Sequence, residues 1–289
     1  MADSVAKKIA SRSPLILAIL IICIIWTVPT LGILISSFRS QDAIRSTGWW
    51  TVFGGLFKEG QWTIANYRRV LSSDGMDNAF FNSALVTIPS VVIPITIAAF
   101  AAYAFSWMNF PGRKFFFFVV IALMVVPLQL ALLPILKLYN LPGLGLNGTY
   151  LGIWLAHTGF GLPLAIYLLY GHISSIPAEI LESAYVDGST PMLTFVRLVL
   201  PLSIPVIASF AIFQFLWVWN DLLVALVFLG TKRDVTVVTQ RLATLVGERG
   251  EAWHVLTSGA FVAMIVPLVV FFALQRFFVR GLTAGSVKG

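Results

Sequence analysis

The chain of 289 residues has little charge, one cysteine and three histidines. Only 11% of its residues are charged, whereas soluble domains average about 25%. Because the single cysteine, Cys23, lies in an apolar run, one chain can form neither a disulfide framework nor a thiolate metal site. His157, His172 and His254 lack the spacing of metal ligands, so we expect no metal site.

Motifs for binding nucleotides are missing as well. Gly143, Gly145 and Gly148 match G-x-G-x-x-G, but they follow an apolar helix and Pro142 rather than a strand, so we predict that they form a turn. The pattern G-x-x-x-x-G-K-[ST] does not occur, and no soluble region is large enough to fold an ATPase. No nucleophile–base pair indicates an intramembrane enzyme. The sequence therefore predicts a non-catalytic chain that has no cofactor of its own.

Long apolar runs dominate the chain instead. Hydrophobic residues make up 58% of it, and the mean hydropathy is +0.92. Six runs are long enough to cross a bilayer as helices, which takes roughly 20 residues. Backbone polar groups in lipid must be satisfied within the segment, and the alternation of a β-barrel is missing. We therefore predict a single all-α membrane domain, 1–289, with six transmembrane helices. The predicted spans lie near residues 15–36, 83–105, 115–136, 151–170, 204–229 and 255–278.

The basic residues alone do not orient these spans. Of the 19 basic residues, 9 fall on the side of the chain termini and 10 on the opposite side. The first helix usually dominates orientation, and the opposing charges lie mostly in two longer loops, so both considerations favour termini inside. The basic pI of about 9.8 reflects these loops, and we expect membrane lipids rather than nucleic acid as surroundings.

A polar segment, residues 177–201, interrupts the apolar runs. Pro177 and Glu179 suit the first turn of a helix, Gly188 is a natural stop, and Pro191 restarts a helix. Such a bent element with small residues at its tip suits docking to another protein. An ordinary connecting loop is the alternative, and physical reasoning alone favours it.

The same segment resembles the EAA loop of permeases from ATP-binding cassette (ABC) importers, which runs Glu-Ala-Ala, three residues, Gly, nine residues, Ile-x-Leu-Pro. Ser183 replaces the first Ala and Leu198 replaces the Ile. In that family the loop seats in a cleft of a cytoplasmic ATPase. The resemblance implies a type I ABC importer permease fold, cytoplasmic termini and a coupling loop at 171–203. Its candidate residues are Glu179, Glu182, Ala184, Asp187, Gly188, Leu200 and Pro201.

The C-terminal tail, 279–289, is similar to the end of the smaller permease of maltose-type importers. In that subfamily the tail reaches between the two ATPase subunits. Asn66-Tyr67 and Trp219-Asn220-Asp221 also resemble the subfamily, and the general likeness is nearest to alpha-glucoside permeases. The resemblance implies ATPase contacts for Gly281, Leu282, Thr283, Ala284, Gly285 and Lys288.

The resemblance also implies a set of partners in a bacterial inner membrane. These are a second homologous permease, an ATPase homodimer that binds ATP and Mg, an extracytoplasmic sugar-binding protein and the sugar itself, an alpha-glucoside or similar di- or oligosaccharide. The loop that contacts the binding protein in sugar importers corresponds to 230–253. Its candidate residues are Lys232, Arg233, Arg241 and Glu248. An ATP-independent carrier or channel is the alternative function, against which the lack of midplane carboxylates counts.

Polar and aromatic residues within the predicted spans are candidates for a solute path. Gln129, Gln214, Trp217 and Asn220 offer amide hydrogen bonds and ring faces to a sugar. Helix–helix hydrogen bonding and packing is the alternative that we favour for them.

Prolines within the spans predict bends, because proline removes a helical hydrogen bond. Kinked helices suit a protein that opens alternately to two sides. The prolines concerned are Pro29, Pro89, Pro94, Pro127, Pro134, Pro163, Pro205 and Pro267.

Overall fold

The structure, a computed structural model, describes residues 2–55, 60–72, 75–248 and 253–284. Regular secondary structure in these ranges is helical. Four described helices are long and apolar enough to cross a membrane, and the number rises to six if each of two bent helix pairs forms one span.

The helices follow one another in the order of the chain. Their bounds are α1 Ala2–Ser37, α2 Gln41–Ser46, a 3₁₀ turn Trp49–Gly54, α3 Ala65–Ser72, α4 Met76–Trp107, α5 Arg113–Leu123, α6 Leu128–Tyr139, α7 Tyr150–Ile173, α8 Ala178–Val186, α9 Pro191–Thr194, a π-helical turn Phe195–Val199, α10 Leu200–Leu202, α11 Ile204–Trp219, α12 Leu223–Phe228, a 3₁₀ turn Arg233–Val235, α13 Val238–Glu248 and α14 Trp253–Ala284.

The third apolar run, expected near 115–136, is not one straight helix. Helices α5 and α6 meet at an angle of 103° across the residues Met124 to Pro127. Pro127 has no N–H to donate to the preceding turn, and proline disfavours helical geometry at Val126. The chain therefore leaves the helix at Met124 and starts a new one at Leu128.

The fifth apolar run, expected near 204–229, also differs from a single span. Helix α11 ends at Trp219, and the short helix α12 begins only at Leu223. On the N-terminal side of α11, the helical stretch Pro191–Leu202 is bent by 69° against α11. The break falls at Ser203, two residues before Pro205.

One compact unit consists of the residues up to Met76 together with Leu242–Met264. A buried arginine organises its loop, because the Arg39 guanidinium, only 1% exposed, donates to the carbonyl oxygen of Gly48 at 2.9 Å and to Thr47 Oγ1. Asn66 donates from its amide to the carbonyl oxygens of Ser37 and Arg39. Burial lowers the pKa of Arg39 below its ordinary value. The segment between α1 and α4 thus contains a folded part.

The other compact unit consists of Asp77–Arg241 with the residues from Ile265 onward. Helix α7 lies at its centre, since residues of α7 belong to both of its hydrophobic clusters. In one cluster the small residues Ala98 and Ala102 of α4 are fully buried with Leu169. The second cluster includes Val86 of α4 and Ile153 of α7. Small buried residues let helices approach closely, and this packing positions the site.

Candidate functional site

The EAA segment, defined here as Pro177–Pro201, is a short helix, a glycine turn and a second helical stretch. Helix α8 stops at Gly188, whose φ of +81° is unfavourable for residues with a side chain. The Ser189 N–H donates to the Ala184 carbonyl at 2.9 Å, the long-range bond of a Schellman turn. Thr190 Oγ1 accepts from the Leu193 N–H and caps α9. The structure confirms the helix–break–helix prediction.

Most of α8 is not packed against the described part of this chain. Leu181 anchors the helix and is 1% exposed, whereas Val186 at the tip is 88% exposed. Ala184 is half-buried. The predicted coupling residues Glu179, Glu182, Asp187 and Gly188 all lie at the surface. An apolar side chain displayed among exposed carboxylates forms a surface that a partner can cover.

Two aromatic side chains near the Trp107 end of α4 hold the EAA segment and the end of α7 that precedes it. The Tyr103 hydroxyl donates to the Pro191 carbonyl at 3.1 Å, so its remaining contact, 3.1 Å to the Tyr185 hydroxyl, is one in which Tyr185 donates. The Trp107 indole donates to the Ile173 carbonyl at 3.0 Å. Sequence reasoning missed these residues; their place at the end of a span was the one available signal.

A π-helical turn leads to the last two predicted coupling residues. Leu200 donates its N–H to Phe195, five residues earlier. Pro201 has no N–H to offer the carbonyl of Arg197, so the regular ladder is interrupted here. Leu200 is half-buried, and Pro201 is exposed.

The predicted tail contacts fall only partly within the described residues. Gly281, Leu282, Thr283 and Ala284 form the last turn of α14. Gly285 and Lys288 lie outside the described residues, so their predicted role stays a prediction.

The predicted contact loop is held firmly over its first half, 230–238. Buried Asn82 donates to the carbonyl oxygens of Asp234 at 2.9 Å and Thr236 at 3.0 Å, and it accepts from the Tyr150 hydroxyl at 2.7 Å. The Lys232 side chain lies over Gly148, where an added Cβ would come within 2.7 Å of Nζ. The structure therefore presents Lys232 on a fixed scaffold.

Of the other three candidate residues of this loop, Arg241 alone has a side chain that the structure describes. Arg241 lies half-buried in α13. The side chains of Arg233 and Glu248 lie outside what the structure describes, and their contacts with a binding protein stay predictions.

The four residues proposed for a solute path do not share one site. Gln214 is fully buried and donates to the Ser90 carbonyl at 3.2 Å, which is a helix–helix contact. Asn220 is exposed and donates to the Leu216 carbonyl at the end of α11. Gln129 is exposed in the first turn of α6.

Trp217 differs from these three because it lines a cavity of about 710 Å³. The cavity lies between the break of α5 and α6 on one side and helices α7 and α11 on the other. Met124, Tyr139 and Phe160 are among its lining residues, none of which carries a charge. Such a wall can pack against an uncharged solute through ring faces and two polar groups, the Tyr139 hydroxyl and the Trp217 indole.

Two ionisable residues within the predicted spans, Asp221 and His157, have structural contacts. Asp221 accepts the Ala225 N–H on its carboxylate at 3.0 Å, and its carbonyl accepts from Thr239 Oγ1 at 2.6 Å. The carboxylate therefore caps α12. His157 is 1% exposed, and its ring packs edge-on against Trp217 with ring centres 6.4 Å apart.

Residues 94–284 match the family described as the binding-protein-dependent transport system inner membrane component. The chain belongs to this family. It is therefore a multi-pass permease subunit of the inner membrane.

Two relatives are similar along almost their whole length. The osmoprotective compounds uptake permease protein GgtD of Synechocystis sp. is 57% identical over 277 residues, which cover 96% of this chain and 92% of that protein. The alpha-glucoside transport system permease protein AglG of Rhizobium meliloti is 44% identical and is matched over 98% of its length.

A solved structure has the same fold. A chain of a bacterial ABC transporter for the acidic polysaccharide alginate superposes with a TM-score of 0.72 and 20% identity over 96% of this chain and 98% of that one. A second alginate transporter structure, solved with a pentasaccharide-bound periplasmic protein, gives a TM-score of 0.69 and 16% identity, with coverage of 95% and 96%. The ABC importer permease fold predicted from the EAA resemblance is thus found.

Proposed function

We propose that this chain is a permease subunit of an ABC importer that takes up an uncharged sugar, such as an alpha-glucoside, at the expense of ATP. ATP and Mg are bound by an ATPase homodimer that docks on the EAA segment. A second homologous permease completes the pathway, and an extracytoplasmic binding protein delivers the sugar. The chain itself performs no catalysis.

The observation that carries the proposal is the exposed surface of α8. Its tip presents Val186 and Gly188 without packing from the described residues elsewhere in the chain, although Leu181 anchors the helix. A surface of this kind is stabilised when a partner covers it. ATP-driven closure of the ATPase would then move the EAA segment together with α4, because Tyr103 fastens the segment to that helix.

The choice of an uncharged substrate rests on the cavity and on the relatives. The cavity beside Trp217 has no charged lining residue. The names of the two similar permeases refer to osmoprotective compounds and to alpha-glucosides. An uncharged glucoside can stack on the aromatic rings without desolvating an ionic group.

A bulky residue at the EAA turn tests the proposal. The change Gly188→Trp should abolish ATP-driven uptake of a labelled alpha-glucoside by proteoliposomes of the whole complex, because the indole would hold the ATPase away from α8. An added Cβ at Gly188 meets no atom of the described residues within 4 Å. An excess of unlabelled uronic-acid sugars, which carry a carboxylate, should not reduce uptake of the labelled glucoside by the unaltered complex, because the proposed substrate is uncharged.

The matched control is Gly143→Trp in the turn before α7. Gly143 has a comparable φ of +90° and equally open space, so backbone strain is similar in both variants. We expect uptake to persist in the control. Normal uptake by the Gly188→Trp complex, or equal loss in both variants, would contradict docking at this turn.

A further inference from the structure

Helix α4 contains two prolines in the middle of a continuous helical run, Pro89 and Pro94. Each lacks the N–H that would donate to the carbonyl four residues earlier. The carbonyls deprived of this donor are those of Leu85 and Ser90. Since buried backbone carbonyls are normally paired, the groups that replace the missing donors identify the side chains that stabilise this part of the helix.

Each of these two carbonyls receives a side-chain donor from a different neighbouring helix. The indole N–H of Trp154, on α7, donates to the Leu85 carbonyl at 2.9 Å. The amide of Gln214, on α11, donates to the Ser90 carbonyl at 3.2 Å. One donor therefore corresponds to each proline.

The surroundings of Gln214 are shaped to admit its amide. Gly161 of α7 faces the side chain, and an added Cβ there would come within 2.6 Å of Nε2 and 2.7 Å of Oε1. Gln214 itself is fully buried. A larger residue at Gly161 would displace the amide from Ser90.

Contacts of Trp154 lead, through Tyr150, to the residue of α4 that holds the loop 230–238. The Trp154 ring stacks on Tyr150 with ring centres 6.2 Å apart. Tyr150 in turn donates to Asn82 near the Met76 end of α4.

We propose that Trp154 and Gln214 are positioning residues that fix the backbone of α4 around its two prolines by supplying the donors that Pro89 and Pro94 lack. This inference rests on the proposed function, because the two ends of α4 carry the attachments that the transport cycle uses. Asn82 holds the loop 230–238 at one end, and Tyr103 holds the EAA segment at the other. The backbone of α4 between these two attachments therefore fixes their relation to each other.

A double-mutant cycle tests the inference. Gln214→Met keeps the side-chain length but removes the N–H, so the Ser90 carbonyl stays unpaired. We expect ATP-driven uptake by the whole complex to fall by about tenfold, which corresponds to about 1.4 kcal/mol. The thermal unfolding midpoint of the purified full chain in detergent should fall as well. Pro94→Ala restores the backbone N–H, so Gln214→Met should have little further effect in that background.

The crossed pair is the matched control. Pro89→Ala restores a donor to Leu85 and should rescue Trp154→Phe, but it should not rescue Gln214→Met. Rescue by the matched proline alone, in both uptake and unfolding midpoint, supports the proposal. A solute contact or simple packing role for Gln214 predicts the same loss in every background.

Three results would overturn the inference. They are an equal effect of Gln214→Met with and without Pro94→Ala, rescue by the crossed proline, and unchanged uptake when the unfolding midpoint falls. Failure of the proposed function looks different, because the unaltered complex would then show no ATP-driven uptake. In that case the cycle of unfolding midpoints decides whether the two side chains cap α4.

Discussion

The hydroxyl of Tyr103 joins α4 to both halves of the EAA segment. Tyr103→Phe would remove the contacts with Tyr185 and the Pro191 carbonyl and keep the ring against Phe195. Hydrogen bonds of this kind contribute about 1 kcal/mol each. We expect the number of sugars transported per ATP hydrolysed to fall by roughly fivefold or more, because the segment would move without carrying α4 along.

Tyr170→Phe is the control for this prediction. Its ring packs on Phe117 with centres 4.2 Å apart, and its hydroxyl makes no hydrogen bond within the described part of the chain. The sugar-to-ATP ratio should stay normal. A ratio that is unchanged in Tyr103→Phe would show that the hydroxyl does not couple the two elements.

Side-chain roles were predictable from sequence where they depend on the local backbone. Gly188 as a stop and the restart at Thr190–Pro191 follow from neighbouring residues, and the structure contains both. The Tyr103–Tyr185 contact joins residues 82 positions apart, so no local pattern could reveal it. Gln214 has the same difficulty, since its partner, Ser90, lies 124 positions away.

Among the elements, the loop 230–238 depends on one buried amide. Asn82→Asp would remove the donors to the Asp234 and Thr236 carbonyls and place a carboxyl group where an amide was buried. Each unpaired carbonyl costs about 1–3 kcal/mol. The loop should therefore loosen, and the stimulation of ATP hydrolysis by sugar-loaded binding protein should fall by about tenfold or more in the reconstituted complex.

An exposed amide provides the comparison. Asn147 donates to Asn140 Oδ1 at 3.0 Å on the surface, so Asn147→Asp makes the same chemical change without burial. Stimulation should be close to normal in that variant. Full stimulation in Asn82→Asp would argue that the binding protein does not use this loop.

The elements themselves were predictable to different degrees. Apolar runs indicated the long helices α1, α4, α7 and α14, because length and hydropathy suffice for them. The 103° bend at Pro127 was expected only as a kink, since the residues Met124–Val126 are as apolar as their neighbours and hide the end of α5. The end of α11 at Trp219 escaped for the same reason.

For the whole molecule, the proposal requires that the EAA segment lie on the cytoplasmic side. Cys23, the chain's one cysteine, is exposed and would react with thiol reagents, so Val186→Cys introduced after Cys23→Ser gives a single thiol at the EAA segment. We expect an impermeant thiol reagent to label it only after the cells are permeabilised.

Leu144→Cys, in the turn between α6 and α7, should be labelled in intact cells and serves as the control. The proposed orientation would be wrong if Val186→Cys reacted from outside while Leu144→Cys did not.

The tail provides a second prediction for the assembled complex. Removing the residues after Leu282 should impair ATP hydrolysis that is coupled to sugar uptake, because the tail is proposed to reach between the ATPase subunits. The measurement is ATP hydrolysis with and without sugar-loaded binding protein. Replacing the same residues with an equally long Gly/Ser sequence should have the same effect, and normal coupling in both variants would leave the tail without this role.

The cross-helix donors at Trp154 and Gln214 also restrict how this part of the molecule can deform. The Leu85 and Ser90 carbonyls of α4 stay hydrogen-bonded only while α7 and α11 keep their positions along α4. If those helices slid by one turn, both carbonyl oxygens would lose their donors while buried. Helices α4, α7 and α11 should therefore move together as one rigid body. The movement that opens and closes the pathway should then occur in other segments, above all in the non-helical stretch Met124–Pro127, which borders the cavity.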